Sequence, residues 1–424
     1  MSDKIRVMWS LAFAWLKLFV AWNWKKYTLY LITLIASAAT WGVQGCNNPD
    51  NPPYVPPIPE PDVPPLPNFD DLGWIRTTRQ QQEEFLKTLD TPYFADTPAG
   101  KADMHDVFEN TPDALTYRLA NRGRSMTGQR PYPVRNQGRL GICVGCGAAA
   151  ACEYAMGAAA ALKKGPAQEL PLLSEEAIYG FSRWEVHGNR RPQGLVGDGS
   201  VGAWAAKALT QKGILERKKY PSVDLTTYTE VRGREWGDRG VPDELEPIAA
   251  QQTAIGCALV KTTDELRKAH AQGYAAFICS QVGFGETLPV TRDSDGFLPA
   301  RGSWAHCMAS IGYRGGSRPG FLILNSWGPN WVKGPVGPYS DIPDGSFWCD
   351  VPTMQRILDQ GDSWAVSGVK GFPRRKIAID DWIAGGNKLA EDASVTVRME
   401  RDIGAFNRNR KQPVEGRRED EEDE

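Results

Sequence analysis

Hydrophobic spacing changes several times along this chain, and each change predicts a different element. From Tyr27 to Gly45 the run YTLYLITLIASAATWGVQG holds nineteen residues without a charge. At about 1.5 Å per residue it spans about 28 Å, close to the hydrocarbon thickness of a bilayer. It reads as a membrane or signal helix. Before it, within the basic segment 1–26, the stretch Met8 to Trp24 is apolar and carries four tryptophans. That pattern predicts a helix lying in the membrane interface. Residues 46–69 lose all periodicity, and the stretch 49–67 carries ten prolines. Proline fixes φ and removes a donor, so this is a stiff polyproline spacer.

Beyond the spacer the pattern becomes that of a folded domain. Residues 70–128 are polar with short helical runs such as RQQQEEFLKTLD; a propeptide, a packed N-terminal extension and a second spacer all fit. From about 129 to 372 one globular unit follows. Cys143 to Lys163 is Ala- and Gly-rich and predicts a long helix. Leu173-Ser174-Glu175-Glu176 predicts a helix entry capped by serine. SWAHCMASIGY (303–313) and FLILN (321–325) flank a Gly-rich turn and predict an antiparallel hairpin. After 373 the chain is charged, and it ends in six consecutive acidic residues. Such a tail is solvated and suited to a basic partner.

Charge adds orientation and removes one class of partner. Lys4, Arg6, Lys17, Lys25 and Lys26 precede the apolar run, and Asp50 and Glu60 follow it. The positive-inside rule then puts the globular part outside the cytoplasm, in a periplasm or on a cell surface. Ala36-Ser37-Ala38 offers a signal-peptidase site, and Val43-Gln44-Gly45-Cys46 a weak lipoprotein box with Cys46 as the lipidated residue. Anchor, lipoprotein and secreted forms share that location. The full chain of 424 residues has 49 basic and 51 acidic side chains, so no global field favours nucleic acid.

The candidate chemistry is thiol chemistry. Eight cysteines are too few for a disulfide scaffold, and four histidines limit any imidazole mechanism. Cys143 follows a Gly-flanked loop and opens the long helix, where the positive end of the helix dipole favours thiolate. Gln137 lies on the loop entering that helix and could offer an amide donor to an oxyanion. Cys143-x-x-Cys146 also spells half a zinc knuckle or a redox pair, but there is no second CxxC and no βαβ context. No metal or cofactor is called for. Cys146 and Cys152 read as buried helix residues. His105, His187 and His270 read as surface residues.

The motifs Asn136-Gln137-Gly138, Gly141-x-Cys143, His306 on the hairpin and Asn325-Ser326-Trp327-Gly328 resemble those of the papain-like cysteine peptidases. The resemblance covers roughly 129–372, with Leu173-Ser174, Gly197-Asp198-Gly199-Ser200 and the closing strand near Ala365 to Phe372 also similar. It implies an α+β, two-lobed fold: a helical lobe, an antiparallel β-barrel lobe and a cleft between them. It implies Cys143 as nucleophile, His306 as base, Asn325 as the residue orienting His306, and Gln137 with the Cys143 N–H as oxyanion donors. Trp327 would shield the Asn325–His306 contact, and Gly199 and Ser200 would line the substrate. The substrate would be a polypeptide. Two departures stand out: Val144 where an aromatic residue often follows the nucleophile, and Leu140 where a bridged cysteine is common. An inactive papain-like binding module at a membrane surface is the rival of another class. A peptidoglycan amidase or a peptide transferase is the nearer one.

Overall fold

A computed structural model describes residues 73–382, apart from 106–112, 164–165, 193–196, 253–254, 369–370 and 378–380. The expectations for the interfacial helix, the membrane helix, Cys46, the proline spacer and the acidic tail lie outside the described residues. All described residues belong to one compact unit.

Helices dominate its first half. They are α1 (Arg79–Leu86), α2 (Thr116–Ser125), α3 (Cys143–Leu162), α4 (Glu175–Arg183), α5 (Gly202–Lys207) and α6 (Glu230–Arg239). Local chemistry sets their ends. Thr78 caps α1 in a reciprocal box with Gln81. Ser174 caps α4 as its sequence predicts, accepting the Ala177 N–H at 3.2 Å. Helix α3 has alanine or glycine at most positions, and nearly all of it is buried. It passes for a membrane span by length and composition, yet it is a core helix. The described part of 70–128 is not a loose spacer: Trp74, Phe94, Tyr117 and Leu119 join the same core.

All described strands fall in the second half: β1 (Gly256–Leu259), β2 (Ala275–Val282), β3 (Val290–Thr291), β4 (Ser303–Arg314), β5 (Gly320–Leu324), β6 (Val332–Lys333), β7 (Ser346–Asp350) and β8 (Asp362–Ser367). Six form one antiparallel sheet in the order β1-β8-β2-β4-β5-β7, while β3 and β6 make a short parallel pair. This is the mixed helix-plus-antiparallel-sheet class expected from the motifs. The predicted hairpin is β4–β5, with Ala309 opposite Leu324 and an irregularity between Ser310 and Gly312. Helix α3 lies against β4 and β2. The start of a helix is thereby brought onto the middle of a sheet.

A buried charge network anchors the loop ahead of α3. Arg135 makes a bidentate pair with Glu153 of α3, at 2.8 and 2.6 Å. Glu153 also accepts the Leu173 N–H at 2.7 Å. Arg135 reaches Glu175, and Arg217 and Arg232 satisfy Glu176 at 2.8 and 2.6 Å. Removing one partner strands a buried charge, whereas removing both does not. Glu153→Ala should therefore lose about 3–5 kcal/mol of stability, and Arg135→Met with Glu153→Leu clearly less. Urea unfolding of the singles and the double measures this; additive losses would exclude the coupling.

Candidate active site

The site is built where α3 meets β4. Ile142, at the N-cap of α3, supplies no capping side chain. The first-turn N–H groups are thus open to the Cys143 sulfur, which is influenced by the N–H groups of Val144 and Cys307. Cys307 follows His306 on β4. Its sulfur would lie 3.0 Å from a Cβ on Gly147, one turn along α3 from Cys143. The missing side chain at Gly147 is what lets β4 settle onto the start of the helix.

His306 is buried, and its Nε2 lies 2.8 Å from Asn325 Oδ1. An amide oxygen only accepts, so Nε2 carries the ring proton and Nδ1 is bare. That Nδ1 is buried and has no hydrogen-bond partner. Asn325 Oδ1 also accepts the Ser326 N–H at 2.7 Å, which fixes the side chain. The Trp327 ring stacks on His306 with centroids 4.8 Å apart, and Trp304 lies 4.8 Å from Trp327 on the same side. These rings keep water from the His306–Asn325 bond.

Gln137 joins the two halves. Its Oε1 accepts the Ser326 hydroxyl at 2.8 Å, and its Nε2 donates to Leu140 O at 3.1 Å. Its backbone N–H donates to Ser326 O at 2.8 Å, and Gly328 N–H donates to Arg135 O at the same distance. Tyr228 holds the Gln137 carbonyl at 2.8 Å. Leu140 and Val144 are buried; Leu140 packs with Ile142, Cys146 and Tyr179.

The cleft is occupied by the chain itself. Gly73, Trp74 and Ile75 run extended between Ser200 on one wall and Ala305 on the other. Ser200 N–H donates to Gly73 O and Ile75 N–H to Ser200 O, both at 2.8 Å; Trp74 N–H donates to Ala305 O at 3.0 Å. Gly73 passes so close to Gly141 that a Cβ, at φ +114°, would lie 2.3 Å from the Gly141 oxygen. Gly199 and Ser200 thus do line an extended strand. The Trp74 indole donates to Asp362 Oδ2 at 2.8 Å.

Covering the cleft sets its protonation. Burial pushes the Cys143 thiol well above its ordinary value, and neighbouring Cys307 adds to this. Burial pushes His306 down to about 4, against the opposing effect of Asn325. Both shifts act against the charged forms of the two groups. A buried charge is costly unless a close counter-charge offsets it.

Sequence reasoning missed Trp74, Asp362 and Cys307. The signal for Asp362 was a carboxylate inside the apolar strand DSWAVS. Cys307 reads as an ordinary core residue until β2 is paired with β4, which sets Cys279 opposite Cys307. Two histidines also depart from the expected surface role. His270 is fully buried between Thr116 and Ser310, with its Nε2 2.8 Å from the Ser310 hydroxyl. His187 packs edge-on against Trp204 with centroids 4.4 Å apart. The long helix predicted from Cys143 is α3, and Asn325 Oδ1 meets His306 in the way the resemblance implies. Cys146 and Cys152 are buried, and the seven described cysteines are free.

No family model matches the chain, and no curated protein matches it. Solved structures do resemble it. Xylellain, a cysteine protease from Xylella fastidiosa, is 20% identical, with 72% of this chain and 99% of that one covered and a TM-score of 0.43. Digestive procathepsin L 3 of Tenebrio molitor larval midgut is 16% identical, with coverages of 70% and 82% and a TM-score of 0.37. The proform of the ragweed pollen cysteine protease Amb a 11 is 17% identical, with coverages of 69% and 79% and a TM-score of 0.37.

Burial also makes stability depend on pH. His187 and His306 are pushed down to about 4 and His270 to about 3, all from 6.5 and all by burial. The unfolded chain binds these protons more tightly, so their contribution is complete above pH 6.5 and is lost as pH falls toward 4. Glu185, pushed up to about 7 from 4.5 by burial, acts in the opposite direction over part of that window. His306→Gln should therefore give a shallower fall in urea midpoint between pH 7 and 4 than the unaltered protein, and Glu185→Gln a steeper one. Parallel curves would show that these groups are not buried as described.

Proposed function

We propose that this protein is a thiol peptidase of the papain-like kind. The observation that carries the reading is the bond from His306 Nε2 to Asn325 Oδ1, 2.8 Å long, which leaves a bare, buried Nδ1 on the residue next to the Cys143 contact. A base oriented by an amide, on the strand that packs against a helix opened by a thiol, suits acyl transfer. In this reading Nδ1 takes the Cys143 proton as the sulfur attacks a peptide carbonyl. The same proton then passes to the leaving amine, and water hydrolyses the thioester. Asn325 holds the tautomer, and Trp327 keeps water off that bond. Gln137 and the Cys143 N–H stabilise the oxyanion.

The covered form is then the resting form. Gly73 to Ile75 fill the lane a substrate needs, so they must leave first. Once water returns, the thiol and ring can exchange their proton. This accounts for a site with its groups in place yet neutral. An inert binding module needs no imidazole held in one tautomer by an amide. We further propose that the peptidase is held outside the cytoplasm by its N-terminal segment. The support is the uncharged run at 27–45, the basic residues before it and the proline spacer after it.

Two measurements test these readings. An epoxide that alkylates activated thiols should modify Cys143 slowly in the full chain and at least about tenfold faster in Trp74→Ala, each tenfold being about 1.4 kcal/mol of covering. Cys143→Ala should show no adduct and no peptide hydrolysis. Adducts confined to another cysteine, mapped by mass spectrometry, would refute the nucleophile. Protease added outside intact cells should cut the 49–67 spacer, and full protection would reverse the proposed orientation.

A further inference from the structure

Three buried thiols lie together where α3 packs against the sheet, and peptide hydrolysis uses only one of them. Cys143 opens α3. Cys307 stands on β4 directly opposite Cys279 on β2, inside a run of regular pairing from Ala276–Ser310 to Ser280–His306. Directly opposed residues point their side chains to the same face of a sheet. That face is turned toward α3, because the Cys307 sulfur would lie 3.0 Å from a Cβ on Gly147, one turn beyond Cys143. Helix positions four apart share one side. The thiol and the N–H of Cys307 both act on Cys143. Burial pushes the Cys279 thiol up, and a hydrogen bond to Cys307 and the nearby Asp362 and Cys143 add to this. The order of contact is thus Cys143, Cys307, Cys279, and all three are fully buried.

The strand register allows the second and third thiols to be joined. Opposed Cα atoms of an antiparallel pair lie about 4.5–5.5 Å apart. A disulfide spans Cα atoms about 4.4–6.8 Å apart. The other described cysteines keep different company. Cys146 also acts on Cys143, but it packs in a separate cluster with Leu140, Ile142 and Tyr179. Cys152 neighbours Cys257, and Cys349 neighbours Asp350. A thiol able to attack a carbonyl also attacks a peroxide. The sulfenic acid that results is oxidised irreversibly unless a second thiol condenses with it.

We infer that Cys307 and Cys279 form a resolving pair, which captures peroxide-oxidised Cys143 as a disulfide and then releases it. This goes beyond the peptidase reading, since it requires the three thiols and not hydrolysis. In the first step the Cys143 thiolate attacks one peroxide oxygen. The O–O bond breaks, the sulfur loses two electrons to become a sulfenic acid, and the other oxygen leaves as water with a proton from solvent. In the second, the Cys307 sulfur attacks the Cys143 sulfur. An S–S bond forms, the S–O bond breaks, and the oxygen leaves as water with the Cys307 proton. In the third, Cys279 gives up its proton and attacks the Cys307 sulfur, expelling Cys143 as a thiolate. One peroxide and two thiols become one disulfide and two waters. The first step is slow while Gly73 to Ile75 cover the cleft, because oxidation follows thiolate character and exposure.

The test treats the full chain carrying Trp74→Ala with hydrogen peroxide, blocks free thiols with iodoacetamide and maps disulfides by mass spectrometry after trypsin. Cuts at Arg139, Arg292 and Arg301 put Cys143, Cys279 and Cys307 on separate peptides. A Cys143–Cys307 bond should appear first and give way to Cys279–Cys307, while epoxide labelling of Cys143 falls and then returns. Cys279→Ala should stop at the first bond, and Cys143→Ala should form neither. Cys307→Ala should also form neither, and the share of Cys143 that a thiol reductant recovers should fall at least about tenfold as sulfinic acid accumulates. The chain with Trp74 in place should follow the same course at least about tenfold more slowly. If a cysteine variant does not fold, the order of bonds in the two chains that keep every cysteine still decides. A Cys143–Cys146 bond, a bond between two molecules, Cys279–Cys307 formed equally in Cys143→Ala, or sulfinic acid on Cys143 beside reduced Cys307 overturns the inference and leaves the peptidase reading standing. The expected bonds in a chain that hydrolyses no peptide support the inference and overturn the peptidase reading alone.

Discussion

The whole site hangs on a seam between two stretches of chain 189 residues apart, closed by the Ser326 hydroxyl on the Gln137 amide. On one side is the loop that delivers Cys143 to the start of α3. On the other is the turn that carries Asn325 off β5. Backbone bonds on either side, Gln137 to Ser326 and Gly328 to Arg135, make the seam a short stretch of sheet rather than a single contact. Neither half could hold the geometry alone. The loop has no regular structure of its own, and Asn325 lies beyond the last residue of its strand. The Arg135–Glu153 pair explains why the loop tolerates this role, since it bolts the loop to the helix it introduces. The arrangement brings the helix opened by Cys143 against the strand that carries the amide-oriented ring of His306.

The two reacting groups are buried, and burial governs their chemistry. A thiol and an imidazole become an ion pair only when their mutual attraction exceeds the loss of hydration. With Gly73 to Ile75 in place, burial wins at both groups: the thiol is held up and the ring held down. The same residues with the same spacing have one protonation state when covered and are free to adopt another when water enters.

Much of the site was legible because its signals are local or ordered along the chain. Cys143 opens an Ala-rich run after a glycine-flanked loop, His306 sits on one apolar strand, and Asn325 follows the next one after a turn. Two apolar runs on either side of a Gly-rich connection were enough to predict a hairpin. What escaped depends on pairings between distant segments. Trp74 stands in a short stretch with no periodicity, and nothing local says that it will cross a cleft. His270 lies on an amphipathic helix, and only the arrival of Thr116 and Ser310 makes it a core residue. Cys279 and Cys307 look isolated until register sets them face to face. Asp362 was the one visible anomaly, a carboxylate that an apolar strand should not bury without partners.

The exchange of covering segment for substrate can be weighed from the bonds themselves. The segment makes three backbone hydrogen bonds to Ser200 and Ala305 and one from its side chain to Asp362. A peptide in the same lane could make the same three backbone bonds. Contact for contact the two are then nearly matched, so backbone contacts alone do not decide which occupies the cleft. The difference lies in the tether. A segment joined to the domain by a short link competes at an effective concentration of about a millimolar. A free peptide at lower concentration therefore loses unless the segment is released or cut, and the restraint comes from the chain connection more than from the contacts it makes.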